Sequence, residues 1–182
     1  MRKRIALVAI LLGIIALVSF NIPQTHAEES INTPNVTASQ KGVSKLNNFV
    51  EPFEEVYKEE LDSLHAGIWL DDDYNPHYGV TRKDEKMIEL ADKAGIELHL
   101  FKYSNIELLE IMNNIPLGTN GMYEKSIDYG YNAVEVCVDE RYYQIASKTL
   151  LVDPYFSEVY DAIRLVPVDI SDAVYKEFTG IK

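Results

Sequence analysis

The sequence predicts an α+β protein, a two-layer sandwich in which one mixed or antiparallel sheet of about four to five strands carries its helices on a single face. Three observations point to it. Apolar residues alternate with polar ones in short runs, and between those runs they recur at helical spacing. Turn chemistry built from Asp, Asn, Pro and Gly separates the two kinds of segment.

The chain opens with Arg2, Lys3 and Arg4, followed by an apolar stretch from Ile5 to Phe20. Pro23 breaks that stretch, and Thr25-His26-Ala27 places small residues where a signal peptidase reads. Residues 1 to 27 are therefore expected to be a cleaved secretory signal, and the apolar run is short for a membrane span. Residues 28 to 45 are rich in Ser, Thr, Asn, Pro and Gln and are expected to form a flexible tether. Asn35-Val36-Thr37 within it is formally a glycosylation acceptor. A single domain is then expected over 46 to 182.

In that domain Phe53, Val56, Tyr57, Leu61 and Leu64 stripe a helix, with Pro52 suited to its first turn. Ala66 to Leu70 and His77 to Thr81 read as two strands of a hairpin, joined by the turn residues Asp71 to Pro76. Thr81 and Asp84 form a box-like cap for a helix with Met87, Ile88, Ala91 and Ala94 on one stripe, and Gly95 is its stop. Ile96 to Phe101 alternates as a strand. Ser104 and Glu107 make a second capping box, before Leu108, Leu109, Met112 and Ile115. Gly118 to Gly130 reads as a polar loop. Ala133 to Val138 is a strand, Tyr142 to Leu150 a helix, and Ala162 to Val168 a last strand. Asp153-Pro154 suits an extra helical turn, and a short tail helix is expected over 171 to 178. No internal repeat is evident in this order of elements.

The full chain carries 17 Lys and Arg against 29 Asp and Glu, a net charge of −12. Loss of residues 1 to 27 removes three basic side chains and brings it to −15. Such a surface repels phosphate backbones and anionic membranes, which disfavours nucleic-acid binding and membrane insertion. Cys137 is the one cysteine, so no internal disulfide can form. An exported chain so poor in cysteine points to a Gram-positive-like bacterium, with the protein secreted or at the cell surface.

Asp71, Asp73, Asn75 and His77 resemble the start of a calcium loop. Pro76 stands where that loop needs Gly, and Arg82 where it needs a bidentate Glu. His65, His77 and His99 lack the short spacings of zinc sites. No metal or cofactor is expected from these patterns. Neither a Gly-x-Ser-x-Gly elbow nor a Gly-rich phosphate loop occurs, and Cys137 between two valines reads as a small hydrophobe. No catalytic residue is assigned. If the sheet has one open face, parity places Trp69, His99, Phe101, Cys137 and Val166 on it, a candidate protein-binding surface. The tyrosines crowd two regions, Tyr123 to Tyr131 and Tyr142 to Tyr160, a composition that interfaces and core edges share.

The run Ala66-Gly67-Ile68-Trp69-Leu70-Asp71 through Gly79-Val80-Thr81 resembles the hairpin of pro-region domains from secreted chymotrypsin-like proteases of the alpha-lytic type. Lys102 to Leu109 resembles their strand-to-helix step, and Asn132 to Asp139 a later strand, so the likeness spans about residues 50 to 169. The resemblance implies a non-catalytic module that binds, assists and inhibits a protease, largely by pairing sheet against sheet. With no protease following Lys182, it implies a free-standing copy whose protein partner, a secreted serine protease, is met in trans. The tail Thr179-Gly180-Ile181-Lys182 would then join the contact surface as a product-like segment. Two alternatives stand beside it: a small secreted enzyme using Cys137 and His99, and a structural component of the cell envelope.

Overall fold

The computed structural model describes residues 33–169; the predicted signal, the tail helix and Thr179 to Lys182 lie outside them. Helix α1 spans Thr33–Tyr57 and the short α2 spans Leu61–Leu64. Then come β1 (His65–Leu70), β2 (Pro76–Val80), α3 (Glu85–Ala94) and β3 (Glu97–Leu100). Helix α4 (Asn105–Asn114) leads to β4 (Met122–Asp128) and β5 (Ala133–Asp139). The described chain ends with α5 (Tyr143–Val152), α6 (Pro154–Glu158) and β6 (Ile163–Val168). No helix of the described residues is long and apolar enough to cross a membrane.

The α+β class holds, but the single sheet does not. The strands form two three-stranded sheets, β1-β2-β3 and β4-β5-β6. In each, an antiparallel hairpin is followed by a helix and a third strand that runs parallel to the second. The connectivity αββαβ therefore occurs twice, where the sequence shows no repeat. The reason is β4, which occupies most of the predicted polar loop. It is an edge strand with a single fully buried side chain, Met122, and Glu124 and Ser126 exposed. Its apolar alternation is too weak to register, and without it the second hairpin is invisible.

Each sheet has its own core. Tyr78 and Val80 of β2 pack under Leu46, Phe49, Phe53 and Tyr57 of α1 and under Met87 and Ala91 of α3. Phe49, Phe53 and Tyr78 meet ring to ring at 4.8–5.3 Å. In the second sheet Val134, Val136 and Val138 of β5 pack against Leu108 and Ile111 of α4 and Ala146 and Leu150 of α5. Alternate residues of both central strands are thus committed to helices, and the opposite faces are left to other contacts.

The helix α1 overturns the tether from Thr33 onward. Gly42, Leu46, Phe49, Phe53 and Tyr57 form one stripe at spacings of three and four, so the polar run extends an amphipathic helix that the core holds. Gly42 belongs to that stripe through its lack of a side chain: a Cβ there would lie 2.5 Å from the Tyr74 carbonyl oxygen. Pro52 is inside this helix, not in its first turn. Its lost hydrogen bond is offset by buried aromatics on both sides. The α3 cap is also corrected. Asp84 is the N-cap and accepts from Met87 N at 2.9 Å, while Thr81 Oγ1 donates to the Ser63 carbonyl. Gly95 (φ 68°) ends α3 as expected, and the Ser104–Glu107 capping box on α4 is complete in both directions.

Both hairpins turn on an aspartate at the end of their first strand. Asp71 Oδ1 accepts from the backbone N–H of Asp73 (2.9 Å) and Asn75 (2.7 Å), with Tyr74 left-handed at φ 62°. Asp128 Oδ1 accepts likewise from Gly130 and Tyr131. The calcium-like run Asp71-Asp72-Asp73-Tyr74-Asn75 is thereby accounted for as turn chemistry, since the carboxylate of Asp71 is engaged by its own loop.

Candidate functional site

On the first sheet the face away from α1 and α3 carries every second residue: Trp69 on β1, His77 on β2, and Glu97 and His99 on β3, with Phe101 just beyond. Register brings them together. Trp69 lies opposite His77, His77 opposite Glu97, and His99 opposite Gly79. Gly79 leaves a gap in the row. A Cβ there would come within 2.7 Å of the Phe101 ring, so the missing side chain lets Phe101 lean over β2. Trp69 stacks on His77 with ring centroids 5.2 Å apart and planes inclined by 12°. Its ring also lies 4.9 Å from His99 and 5.8 Å from Phe101.

Inside this aromatic frame His77 Nδ1 and His99 Nε2 are 2.9 Å apart. Glu97 reaches both, with Oε2 3.6 Å from His77 Nδ1 and Oε1 3.6 Å from His99 Nε2. These are the donor atoms of a group able to hold a metal ion, all within 4.8 Å of one another. On its far side His77 turns Nε2 toward Asp71 Oδ2 at 3.3 Å, longer than a good hydrogen bond but within ion-pair range. Hydrogen bonds, first from the Asn75 side chain and then from its backbone, hold the Asp71 carboxyl down to about 2. His77 Nε2 is buried without a hydrogen-bond partner, and in the contact between His77 Nδ1 and His99 Nε2 one ring nitrogen donates and the other accepts. Burial keeps His99 below the usual imidazole range, and Glu97 opposes that shift. His77 is 9% exposed, while Glu97 is open to solvent.

The expected surface therefore splits. Trp69, His99 and Phe101 do share one face, each of them half-buried there. Cys137 and Val166 are neighbours of each other on β5 and β6 of the second sheet, and not of the first. The split follows from the two-sheet topology, since one continuous sheet was the premise for placing all five together. Thr179 to Lys182 lie outside the described residues. For the same reason the enzyme alternative loses its geometry: β3 and β5 belong to different sheets, so His99 and Cys137 are not on adjacent strands. Burial, reinforced by Glu124 and Glu135, pushes the Cys137 thiol above its usual range and away from the reactive thiolate.

The residues that sequence reasoning missed are His77 and Glu97. Their spacing of twenty along the chain resembles no local ligand motif. The available signal was strand parity: if His77 and His99 lie on parallel neighbours, one register puts both on one face.

The corresponding face of the second sheet is ionic. Arg164 on β6 pairs with Asp128 at 2.9 Å and with Glu135, and its guanidinium lies 4.4 Å over the Tyr131 ring. Arg141 pairs with the buried Asp139 at the end of β5.

No protein-family model matches the sequence, and no curated protein matches it.

Proposed function

We propose that this chain is an exported, non-catalytic protein-binding module, directed at a secreted serine protease as its resemblance to protease pro-regions implies. The observation that supports this reading is the row Trp69–His77–His99–Phe101, an aromatic surface on the side of the first sheet that its helices leave uncovered. Aromatic side chains with a polar edge are the residues that dominate protein interfaces, and here their rotamers are restrained by mutual stacking. The edge strands β3 and β6 each pair on one side among the described residues, and an extended partner segment could add to either by main-chain hydrogen bonds. Gly130, where a Cβ would lie 3.8 Å from Trp69 Nε1, brings the second hairpin close to this row, and the next residue, Tyr131, is 70% exposed.

The test is a titration of secreted serine proteases from the same organism with the purified protein, following protease activity. Tight saturable inhibition of one protease, weakened about 100-fold or more by Trp69→Ala as for an interface hot spot, is the expected result. Inhibition that Trp69→Ala and Phe101→Ser leave unchanged would move the contact to another surface. Absence of inhibition by the folded protein would overturn the protease-directed reading.

A further inference from the structure

We propose that His77 Nδ1, His99 Nε2 and the Glu97 carboxylate form a binding site for a zinc-class divalent transition-metal ion. The site draws His77 and His99 from the row proposed to bind protein, but it does not rest on that reading and has its own test.

The geometry is that of three ligands waiting for a centre. His77 Nδ1 and His99 Nε2 stand 2.9 Å apart, and the Glu97 carboxylate straddles them with Oε2 3.6 Å from the first and Oε1 3.6 Å from the second. One atom from each of the three side chains falls within 4.8 Å of the others, so a small turn of the exposed Glu97 brings an oxygen to a centre about 2 Å from both nitrogens, the length of a zinc–nitrogen or zinc–oxygen bond. The nitrogens sit slightly closer than two ligands of a tetrahedral ion would, because one proton now bridges them. An ion that binds both lone pairs requires that proton to move to the other nitrogen of its own ring, and needs only a few tenths of an ångström of separation.

The surroundings fit as well as the donors. Asp71 faces the remaining N–H of His77 and is itself fixed by Asn75. A carboxylate behind a ligating imidazole selects the tautomer and makes the ring a better donor. Trp69 stacks on His77 and Phe101 on His99, and the missing side chain of Gly79 leaves the space that the Phe101 ring occupies. Two imidazoles and one carboxylate suit Zn2+, Cu2+ or Ni2+, whereas Mg2+ and Ca2+ require oxygen cages. Glu97 is exposed, so the fourth position opens to solvent, where a water molecule completes the tetrahedron.

Trp69 makes the experiment simple, because it is the sole tryptophan of the chain and stacks on one proposed ligand. Chelator-treated protein is titrated with ZnCl2 by calorimetry at neutral pH, and with NiCl2 while following tryptophan fluorescence. The expected result is saturable binding of one Zn2+ per chain, quenching of Trp69 by Ni2+ at the same stoichiometry, and no response to MgCl2. Glu97→Gln alters an exposed side chain and keeps the fold, so it isolates the ligand role. It and His99→Asn should each weaken binding about tenfold or more, and Asp71→Asn should weaken it through His77 by about tenfold. Failure of Zn2+ to saturate at one per chain would overturn the site. So would wild-type affinity in both Glu97→Gln and His99→Asn with the fold confirmed by circular dichroism, since the ion would then sit elsewhere on the acidic surface.

Discussion

The two αββαβ halves share connectivity, a hairpin turn capped by aspartate, and a central strand whose alternate residues enter a helix-covered core. They differ on the opposite face. In the first half that face is Trp69, His77, His99 and Phe101, and all three described histidines of the chain belong to this half. In the second half the same positions carry Glu124, Ser126, Glu135, Cys137 and Arg164, and charge pairing takes the place of ring stacking. Identical backbone topology thus supports two chemically unrelated surfaces. The core face tolerates little beyond apolar residues of the right volume, while the other face is free to vary with function.

The largest expected effect addresses whether the halves are energetically separate. Phe53 and Leu108 are both fully buried, one in each core. Phe53→Ala should cost about 3–5 kcal/mol and Leu108→Ala about 2–5 kcal/mol. Helix α4 touches both β1 and β5, so each substitution is expected to lower one common unfolding transition in denaturant. Two transitions, each moved by only one of the variants, would make the halves independent domains.

Next in size is an acid sensitivity confined to the first half. Burial lowers the His65 imidazole to about 4, its Nδ1 is buried without a hydrogen-bond partner, and its ring lies 5.1 Å from that of Tyr78. The folded value lies below the unfolded one, so the unfolded chain takes up the proton first. The contribution is complete above the unfolded pKa of about 6.5 and is lost as the pH falls toward 4. Taken as the difference between the native protein and His65→Leu, in which other groups cancel, the loss should be about 3 kcal/mol across that window. Parallel stability curves for the two proteins would exclude His65 as the cause.

A middle-sized effect concerns the joint between the halves. Asn132 accepts from Tyr103 N at 3.0 Å and donates to Tyr103 O at 2.8 Å, tying the segment after β3 to the hairpin of the second sheet. Its own φ is 51°, which Gly adopts without strain. Asn132→Gly therefore removes the two bonds alone and should cost about 1–3 kcal/mol in thermal or denaturant unfolding. The smallest effect is expected from the ionic face. Arg164→Met should cost about 1 kcal/mol and lose most of that in high salt, because its partners are only partly buried. A salt-independent loss would instead assign the contribution to its stacking on Tyr131.

Most elements were readable where local chemistry and burial agree. Ser104 with Glu107, Gly95 after α3, and the alternation of Val134, Val136 and Val138 each announce their structure within a few residues. The first hairpin was equally legible, because Asp71 and Asn75 signal its turn directly. Helix α1 was hidden by a polar N-terminal half, whose helicity depends on the aromatics further along the same stripe. Strand β4 was hidden because an edge strand of mixed polarity is held by hydrogen bonds to β5 and not by its own hydrophobic pattern.

The amino-acid sequence by itself determined the α+β class, the acidic surface, the impossibility of an internal disulfide, and the chemical identity of the row that ends on one face of β1 and β3. Only the tertiary structure decided that the strands divide into two sheets, that Cys137 is remote in register from His99, and that His77, Glu97 and His99 converge. The physical reason is the range of the interactions involved. Caps, turns and periodicity act within a few residues. The convergence of His77 with Glu97 and His99 depends on parallel pairing across an intervening helix, a register set by the burial of Tyr78 and Val80 on the opposite face.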